Sequence, residues 1–438
     1  MRTQVAIIGA GPAGLTLGRL LEQAGIDAVI IERRSADYVL GRIRAGVLEQ
    51  SSVDLLRAIG VNARMDAEGI PHDGVELSFD GDMLRVDFHD LVGRRVMVYG
   101  QTEMTRDLMD ARAKSGGKTV YEARDVTIDA FDGITSSISY VKNGQHHTVE
   151  CDFIAGCDGF HGVSRASVPE AAISVFERVY PFGWLGILVD QPPVSEELIY
   201  AHHARGFALC SMRSHTRSRY YLQVDSTEKI EAWPDEKFWD ELRARLNPDI
   251  AEALQTGASI EKSIAPLRSF VAEPLRFGRL FLTGDAAHIV PPTGAKGLNM
   301  AIHDVTVLAS ALNEHYAERS DAGIDTYSQR VLENTWRTER FSWWMTQLLH
   351  TFPETGDFGR RIQRADFDYL RNSRIAQQSL AENYTGFRAL LFGQPLAIKH
   401  RRGLRRGGLE PVDGAVEPRP INARGRPEHR KPRYHPPA

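Results

Sequence analysis

Three cysteines in 438 residues, Cys151, Cys157 and Cys210, are too few and too scattered for a disulfide scaffold. None stands in a CxxC or zinc-type spacing, which fits a reducing cytoplasm and no structural metal. No apolar run approaches the roughly 20 residues that cross a bilayer, so no membrane partner is expected. The first apolar stretch is interrupted by Gly11 and Pro12 and has no basic leader or small-residue cleavage site, unlike a signal peptide. Strong net charge is also missing, at -4 overall, but the distribution is uneven. Residues 401–438 carry ten Lys/Arg against four Asp/Glu and almost no large apolar side chains. Such a stretch cannot bury enough surface to order itself, so 396–438 reads as a disordered basic tail, solvated and without a nucleic-acid partner. The remainder, within an overall 42% hydrophobic and 25% charged composition, suits an ordinary globular protein of roughly two or three domains.

What is present begins at residue 5. Val5-Ala6-Ile7-Ile8 is a β-branched run of the buried parallel-strand type. Gly9-Ala10-Gly11-Pro12-Ala13-Gly14 follows, then Leu15, Leu17, Leu20 and Leu21 at helical spacing. A second apolar strand, 28–31, ends in Glu32, where a carboxylate can accept from a ribose. Gly9, Gly11 and Gly14 divide the work of turning, admitting a pyrophosphate and packing helix on strand. The helix N-terminus then faces the phosphates. Alone the turn leaves FAD and NAD(P) both open. The next loop is dense in arginine (Arg33, Arg34, Arg42, Arg44, around Tyr38), a composition that meets phosphate bidentately.

Further along, 47–65 reads as one amphipathic helix and 75–88 as an antiparallel hairpin with His72 at its entry. Thr102 is a candidate N-cap for a helix to about 114. Short strands at 119–122, 136–142 and 147–150 lead to a final one delivering Cys157-Asp158-Gly159, with His161, Ser164 and Arg165 after it. Residues 174–225 are strand-rich, and residues two apart on a strand share a face. Ser211 therefore points with Arg213, and Arg219 with Tyr221. An arginine flanked by hydroxyls suits a small carboxylate, and from pattern alone it equally suits an exposed sheet edge. A helix near 237–246 is followed by Arg268, and then by a strand at 279–282. That strand delivers Thr283-Gly284-Asp285, then Pro292-Thr293, and a helix to about 315. The chain to about 395 is largely helical, with Trp336, Trp343 and Trp344 as core or interface anchors.

The GAGPAG turn, the Asp158-Gly159 loop with Ser164 and Arg165, and the Gly284-Asp285 element with Pro292 together resemble the FAD-dependent aromatic hydroxylases. The stretches YVLGRIRAGVLEQ, VYGQTE, GCDGFHG, FERVYPFGWLG, RGFALCS, KSIAPLRSF, GDAAHIVPPTGAKGLN and ERFSWWMT point to members acting on 4-hydroxybenzoate, through about residue 386. The resemblance implies a mixed α/β fold. A Rossmann-like FAD-binding domain would comprise 1–71, 98–175 and 268–330. A β-sheet substrate domain would comprise 72–97 and 176–267, followed by a helical region at 331–395. It also implies an enzyme that uses NAD(P)H and O2, through a flavin hydroperoxide, to place a hydroxyl ortho to the substrate phenol. A hydroxylase for another phenolic acid, a flavin oxidase or reductase, and a non-catalytic flavoprotein are the alternatives. The joint presence of Tyr200, Ser211, Arg213, Tyr221 and Tyr384 argues against them.

By the same resemblance, Arg213, Ser211 and Tyr221 hold the substrate carboxylate. Tyr200 meets the phenol, with Tyr384 beyond it and His72 at the solvent end, where an imidazole of pKa near ~6.5 exchanges the proton with water. The Pro292 carbonyl and Thr293 line the ring pocket. FAD is implied to contact Gly9, Gly11, Gly14, Glu32, Arg42, Arg44, Gln101, Asp158, Arg219, Asp285, Gly297, Leu298 and Asn299. No second glycine fingerprint exists for the nicotinamide, which is implied to dock at Arg33, Arg34, Tyr38, His161 and Arg268. Arg33, Arg34 and Ser35 favour the 2′-phosphate of NADPH. A homodimer is implied, with 330–390 as the region that could supply its interface.

Overall fold

The protein is described by a computed structural model covering residues 1–42 and 46–386. The expectations for Arg44, for 387–395 and for the basic tail lie outside the described residues.

The apolar run Val5–Ile8 becomes the inner strand of a six-stranded sheet, paired in parallel with Phe153–Gly156 on one side and Ala28–Ile31 on the other. Ile7 lies opposite both Ala155 and Ile30, and all three are buried, as expected of a strand covered on both faces. Leu280–Leu282 and Thr119–Val120 extend the sheet in parallel, and Arg276–Phe277 closes one edge antiparallel. Between the first two strands in sequence runs the helix Pro12–Gln23. Gly11 is its N-cap and Pro12 opens it, a position where a missing N–H costs nothing. Leu15, Leu17, Leu20 and Leu21 are buried beneath it.

A second sheet of eight strands lies beside this layer. Its order is His288–Ile289, Ser259–Glu273, Ser174–Val189, Arg217–Asp225, Ala208–Ser214, Ile199–His202, Gly74–Phe79 and Asp82–Asp87. The 75–88 hairpin is present as Gly74–Phe79 against Asp82–Asp87. One apolar core fills the first sheet and its helices. A second lies between the large sheet and the C-terminal helices, and a third between the sheet's other face and the helix Asp235–Arg245.

Four local expectations change. Residues 47–65 form a short strand, Val47–Leu48, then Gln50–Ala58, a break, and Ala63–Glu68. Gly60, at φ 72°, turns the chain between the helices. The N-cap of the helix Gln101–Ser115 is Gly100 rather than Thr102. Residues 124–130, unassigned by pattern, are a strand of a three-stranded sheet. Finally, Arg268 precedes the strand Leu280–Leu282 as expected but itself sits inside another, the fifteen-residue Ser259–Glu273, whose lysine, glutamates and Pro266 obscure any alternation.

Candidate active site

The glycine turn has three unequal members. Gly9 lies at φ 105°, and a Cβ there would stand 2.4 Å from the Cys157 carbonyl oxygen. A Cβ on Gly14 would stand 2.0 Å from the Gly9 carbonyl oxygen, so this glycine lets helix and strand touch. A Cβ on Gly11 would meet nothing within 4 Å. Gly11 therefore borders open space at a helix N-terminus, where amides lack intrahelical partners. Glu32 is buried, and its two oxygens accept from the amides of Ala10 (2.9 Å) and Arg34 (2.7 Å), tying the second strand to the turn.

Two further loops meet this turn. Asp158 Oδ2 accepts from the Ser164 amide at 2.9 Å, whereas its buried Oδ1 has no partner among the described residues. Burial pushes this carboxyl up, against the pull of its hydrogen bonds. Arg165 lies over Phe160 and Phe270 and donates to the carbonyls of Phe160 and Ala286, which binds the 158–165 loop to the Asp285 turn. Asp285 is half-buried on that turn. Gln101 is half-buried at the start of its helix.

Asn299 is fully engaged within the protein. Its Oδ1 accepts from the Glu49 amide and Ser52 Oγ, and its Nδ2 donates to the carbonyls of Val47 and Ala295. It thereby ties the start of the helix Gly297–Asn313 to the 47–52 segment, with half-buried Gly297 and Leu298 beside it. Pro292 is exposed and its carbonyl accepts from Ala295 N, while the buried Thr293 hydroxyl meets Thr346 Oγ1 at 2.9 Å.

The large sheet assembles the other half. Antiparallel register sets Ser211 opposite Arg219 and Leu209 opposite both Tyr221 and Tyr200. Directly opposed residues share a face, so Tyr200, Ser211, Arg219 and Tyr221 all face one side. Arg213 joins them: its Nη2 donates to the Tyr221 hydroxyl at 3.3 Å and Nη1 to the Met212 carbonyl. Its Nε has no partner and no carboxylate pairs with it among the described residues. Burial pushes this guanidinium's pKa down, with Tyr221 acting in the opposite sense. Ser211 Oγ donates to the Arg219 carbonyl at 2.7 Å.

Tyr200 and Tyr384, each about 1% exposed, join hydroxyl to hydroxyl at 2.7 Å across the sheet–helix core. Burial pushes both phenols up, more than offsetting their mutual bond at Tyr200. His72 differs from expectation. Instead of ending at solvent it is 1% exposed, on the strand Ile70–His72 against Val96. Neither ring nitrogen has a partner among the described residues, and burial lowers its pKa to about 4.

Pattern reading missed Lys296 and the residues that hold Arg219. Lys296 is buried, pairs with Glu49 at 2.6 Å, donates to the Tyr384 carbonyl at 2.8 Å and lies over the Tyr384 ring. Arg219 is held by both oxygens of Glu261 and by Ser263 Oγ. Gly186 leaves room for this, since a Cβ there would stand 3.1 Å from Arg219 Nη2 and 2.8 Å from the Tyr221 ring. No local spacing announces these contacts. The one local signal is Gly186, a glycine inside a strand of the kind that marks a close approach.

The arginine loop lies at the surface. Arg33, Arg34, Tyr38 and Arg42 are exposed, and Arg34 and Arg42 flank the Tyr38 ring. The Arg42 hydrogen bond lowers the Tyr38 phenol's pKa. His161 is exposed beside Phe160, and Arg268 pairs with Glu177 at 3.1 Å while covering that same Phe160 ring.

Residues 2–342 match the family model described as FAD binding domain. A p-hydroxybenzoate hydroxylase from Acinetobacter baylyi is 58% identical over 387 residues, covering 88% of this chain and 96% of the relative. A 3-(3-hydroxy-phenyl)propionate/3-hydroxycinnamic acid hydroxylase from a Mycobacterium species is 26% identical, over 74% of this chain and 56% of the relative. Among solved structures, a p-nitrophenol 4-monooxygenase from Pseudomonas putida superposes with a TM-score of 0.75 at 17% identity, covering 88% of this chain and 99% of the other. With three nucleotide-type loops meeting at one turn, a buried tyrosine pair and this degree of likeness, the chain belongs to the FAD-binding-domain family, on its p-hydroxybenzoate hydroxylase branch.

Proposed function

We propose that this chain is an FAD-dependent monooxygenase that converts 4-hydroxybenzoate, NAD(P)H, a proton and O2 into 3,4-dihydroxybenzoate, NAD(P)+ and water. The observation that carries the substrate assignment is one sheet face that holds an unneutralised guanidinium, Arg213, together with the hydroxyl of Tyr200 backed by Tyr384. A benzoate with a phenol opposite its carboxylate complements both ends.

The residues present fit FAD. The open space at Gly11 admits a pyrophosphate that a side chain would exclude, and the unpartnered Asp158 Oδ1 and half-buried Asp285 offer acceptors on the adjoining loops. Glu32 keeps free lone pairs for a ribose beyond its two amides. When bound, FAD supplies the two-electron chemistry by which NAD(P)H is oxidised and one atom of O2 reaches the ring. Arg213 binds the substrate carboxylate with help from Tyr221 and Ser211, fixing which ring carbon is presented. Tyr200 takes the phenol proton and hands it to Tyr384, so that the substrate reacts as the better nucleophile, phenolate. Both tyrosines have pKa values pushed up by burial, so they conduct the proton rather than keep a charge. Lys296, against the Tyr384 carbonyl and ring, offsets negative charge as it develops there. His72, neutral at pH 7, accepts at one nitrogen and gives up the proton from the other. It does so as a buried relay, not as a solvent-side titrating group.

The same reading assigns the domains as 1–71, 98–175 and 268–330 for FAD, and 72–97 and 176–267 for substrate. The strand Ser259–Glu273 runs through the boundary at 268. Exposed Arg33 and Arg34 support NADPH over NADH, since a 2′-phosphate adds charge that they can pair. Exposed Phe358, Ile362, Tyr369 and Ile375 on the last helices support a homodimer. No described helix is long and apolar enough to cross a membrane, and we assign the enzyme to the cytoplasm.

Purified enzyme is expected to be yellow and to consume O2 and NADPH faster with 4-hydroxybenzoate than without, releasing 3,4-dihydroxybenzoate. NADH run in parallel is expected to be the poorer donor. Absence of stimulation by substrate would overturn the substrate assignment, and inability to hold FAD would overturn the whole reading.

The glycines give a second test. Gly14→Ala forces a Cβ onto a backbone carbonyl and is expected to destabilise the fold by about 3 kcal/mol or more. Gly11→Ala is expected to leave the apoprotein's thermal midpoint within about 2 °C of the parent, yet weaken FAD about tenfold. Undiminished FAD affinity in Gly11→Ala would show that no phosphate occupies that space.

A further inference from the structure

The turn that carries Asp285 is gripped at both ends by one buried oxygen. Asp304 stands in the helix Gly297–Asn313, and its Oδ2 accepts from the Gly284 amide at 2.8 Å and meets His288 Nε2 at 2.7 Å. Both side chains are buried. Gly284 adopts φ 57°, and a Cβ there would stand 3.2 Å from the Ala301 Cβ, so the turn is pressed against the same helix. Among residues 280–288, Asp285 alone is not buried.

Burial by itself would push the Asp304 carboxyl up and the His288 imidazole down. Their mutual attraction and hydrogen bond act the other way, so that Asp304 is held low and His288 is raised. Asp285 from the turn and Glu339 from the helix Tyr327–Leu349 also face His288, and His303 approaches Asp304. A buried ion pair is a poor source of net stability, because desolvation offsets the attraction. What this pair supplies is geometry: a single acceptor fixes residues 284 and 288, and the chain between them has little freedom left.

We propose that Asp304 is a positioning residue which, with His288 as counterion, holds the 284–288 turn so that the Asp285 carboxylate is pre-set for the hydroxyls of the FAD ribityl chain. This rests on the assignment of Asp285 to FAD, and the control below separates the two.

The experiment titrates FAD into apoprotein and follows the quenching of flavin fluorescence. Asp304→Asn keeps an acceptor for Gly284 but loses the charge that holds His288. It is expected to weaken FAD about tenfold or more. Affinity for 4-hydroxybenzoate, measured on the FAD-saturated variant, is expected to stay within about twofold, because that site is built from other elements. His288→Leu removes the donor and is expected to show the same split. The double variant Asp304→Asn/His288→Gln, whose glutamine amide reaches the place of the imidazole Nε2, restores a neutral amide-to-amide bond and is expected to recover part of the FAD affinity. Should Asp304→Asn not fold, His288→Leu decides. A joint fall in both affinities would mark a merely structural role and overturn the proposal. If Asp285→Ala weakens FAD while Asp304→Asn and His288→Leu bind it normally, the positioning role alone is refuted. If Asp285→Ala binds FAD as tightly as the parent, the assignment of Asp285 fails and the inference with it.

Discussion

Tyr200→Phe is expected to bind 4-hydroxybenzoate within about threefold of the parent while forming product at least about a hundredfold more slowly, the usual scale for losing a positioned proton acceptor. The substitution deletes one oxygen from a fully buried ring, so the packing of the second core should survive. Affinity depends mainly on the carboxylate grip at Arg213, which Phe leaves in place. What is lost is the link between substrate and Tyr384, now separated by a dry gap where the 2.7 Å contact stood. The substrate then remains a phenol and attacks poorly. NADPH consumption, which does not require the phenolate, should fall less than product formation, and the difference should appear as hydrogen peroxide. A variant that forms product at the parental rate would remove Tyr200 from the relay. Equal losses in substrate affinity and product rate would instead mark Tyr200 as a binding group.

The parts of this site that were legible from sequence are those made by neighbours in the chain. Gly9, Gly11 and Gly14 sit within six residues, and each reveals its task through local geometry. Ser211 with Arg213, and Arg219 with Tyr221, are two apart on strands, so the pleat alone puts them on shared faces. The contacts that were missed join distant segments. Lys296 reaches Glu49 and Tyr384, and Arg219 reaches Glu261. No periodicity encodes such meetings. Ser259–Glu273 escaped for a related reason: its charged residues are matched by partners from distant segments, Glu261 by Arg219 and Arg268 by Glu177, so no alternation marks the strand. The solvent-end place of His72 came from the resemblance alone, whereas the strand pairing with Val96 buries it, a contact no local spacing encodes. The residue assignments to substrate and cofactor came through family resemblance, since spacing alone left Arg213 equally suited to a sheet edge.

Arg213→Ala is expected to weaken 4-hydroxybenzoate binding by about 3 kcal/mol, roughly a hundredfold, as when a buried charge pair loses one partner. The free enzyme should tolerate the change, because Arg213 has no carboxylate partner to orphan and donates only to Tyr221 and a backbone carbonyl among the described residues. Its desolvation is a standing cost in the empty enzyme, signalled by the downward pull of burial on its pKa. A bound carboxylate relieves it. Removing the guanidinium should therefore leave stability near the parental value or raise it slightly, while affinity collapses. Arg213→Lys keeps the charge but presents a point donor in place of a planar fork, so it should recover only part of the affinity. Phenol, which lacks the carboxylate, provides the complementary measurement. Its weak binding should be nearly the same in parent and Arg213→Ala, because the variant removes only what phenol never used. If phenol binding falls as far as 4-hydroxybenzoate binding does, Arg213 shapes the pocket generally rather than recognising a carboxylate.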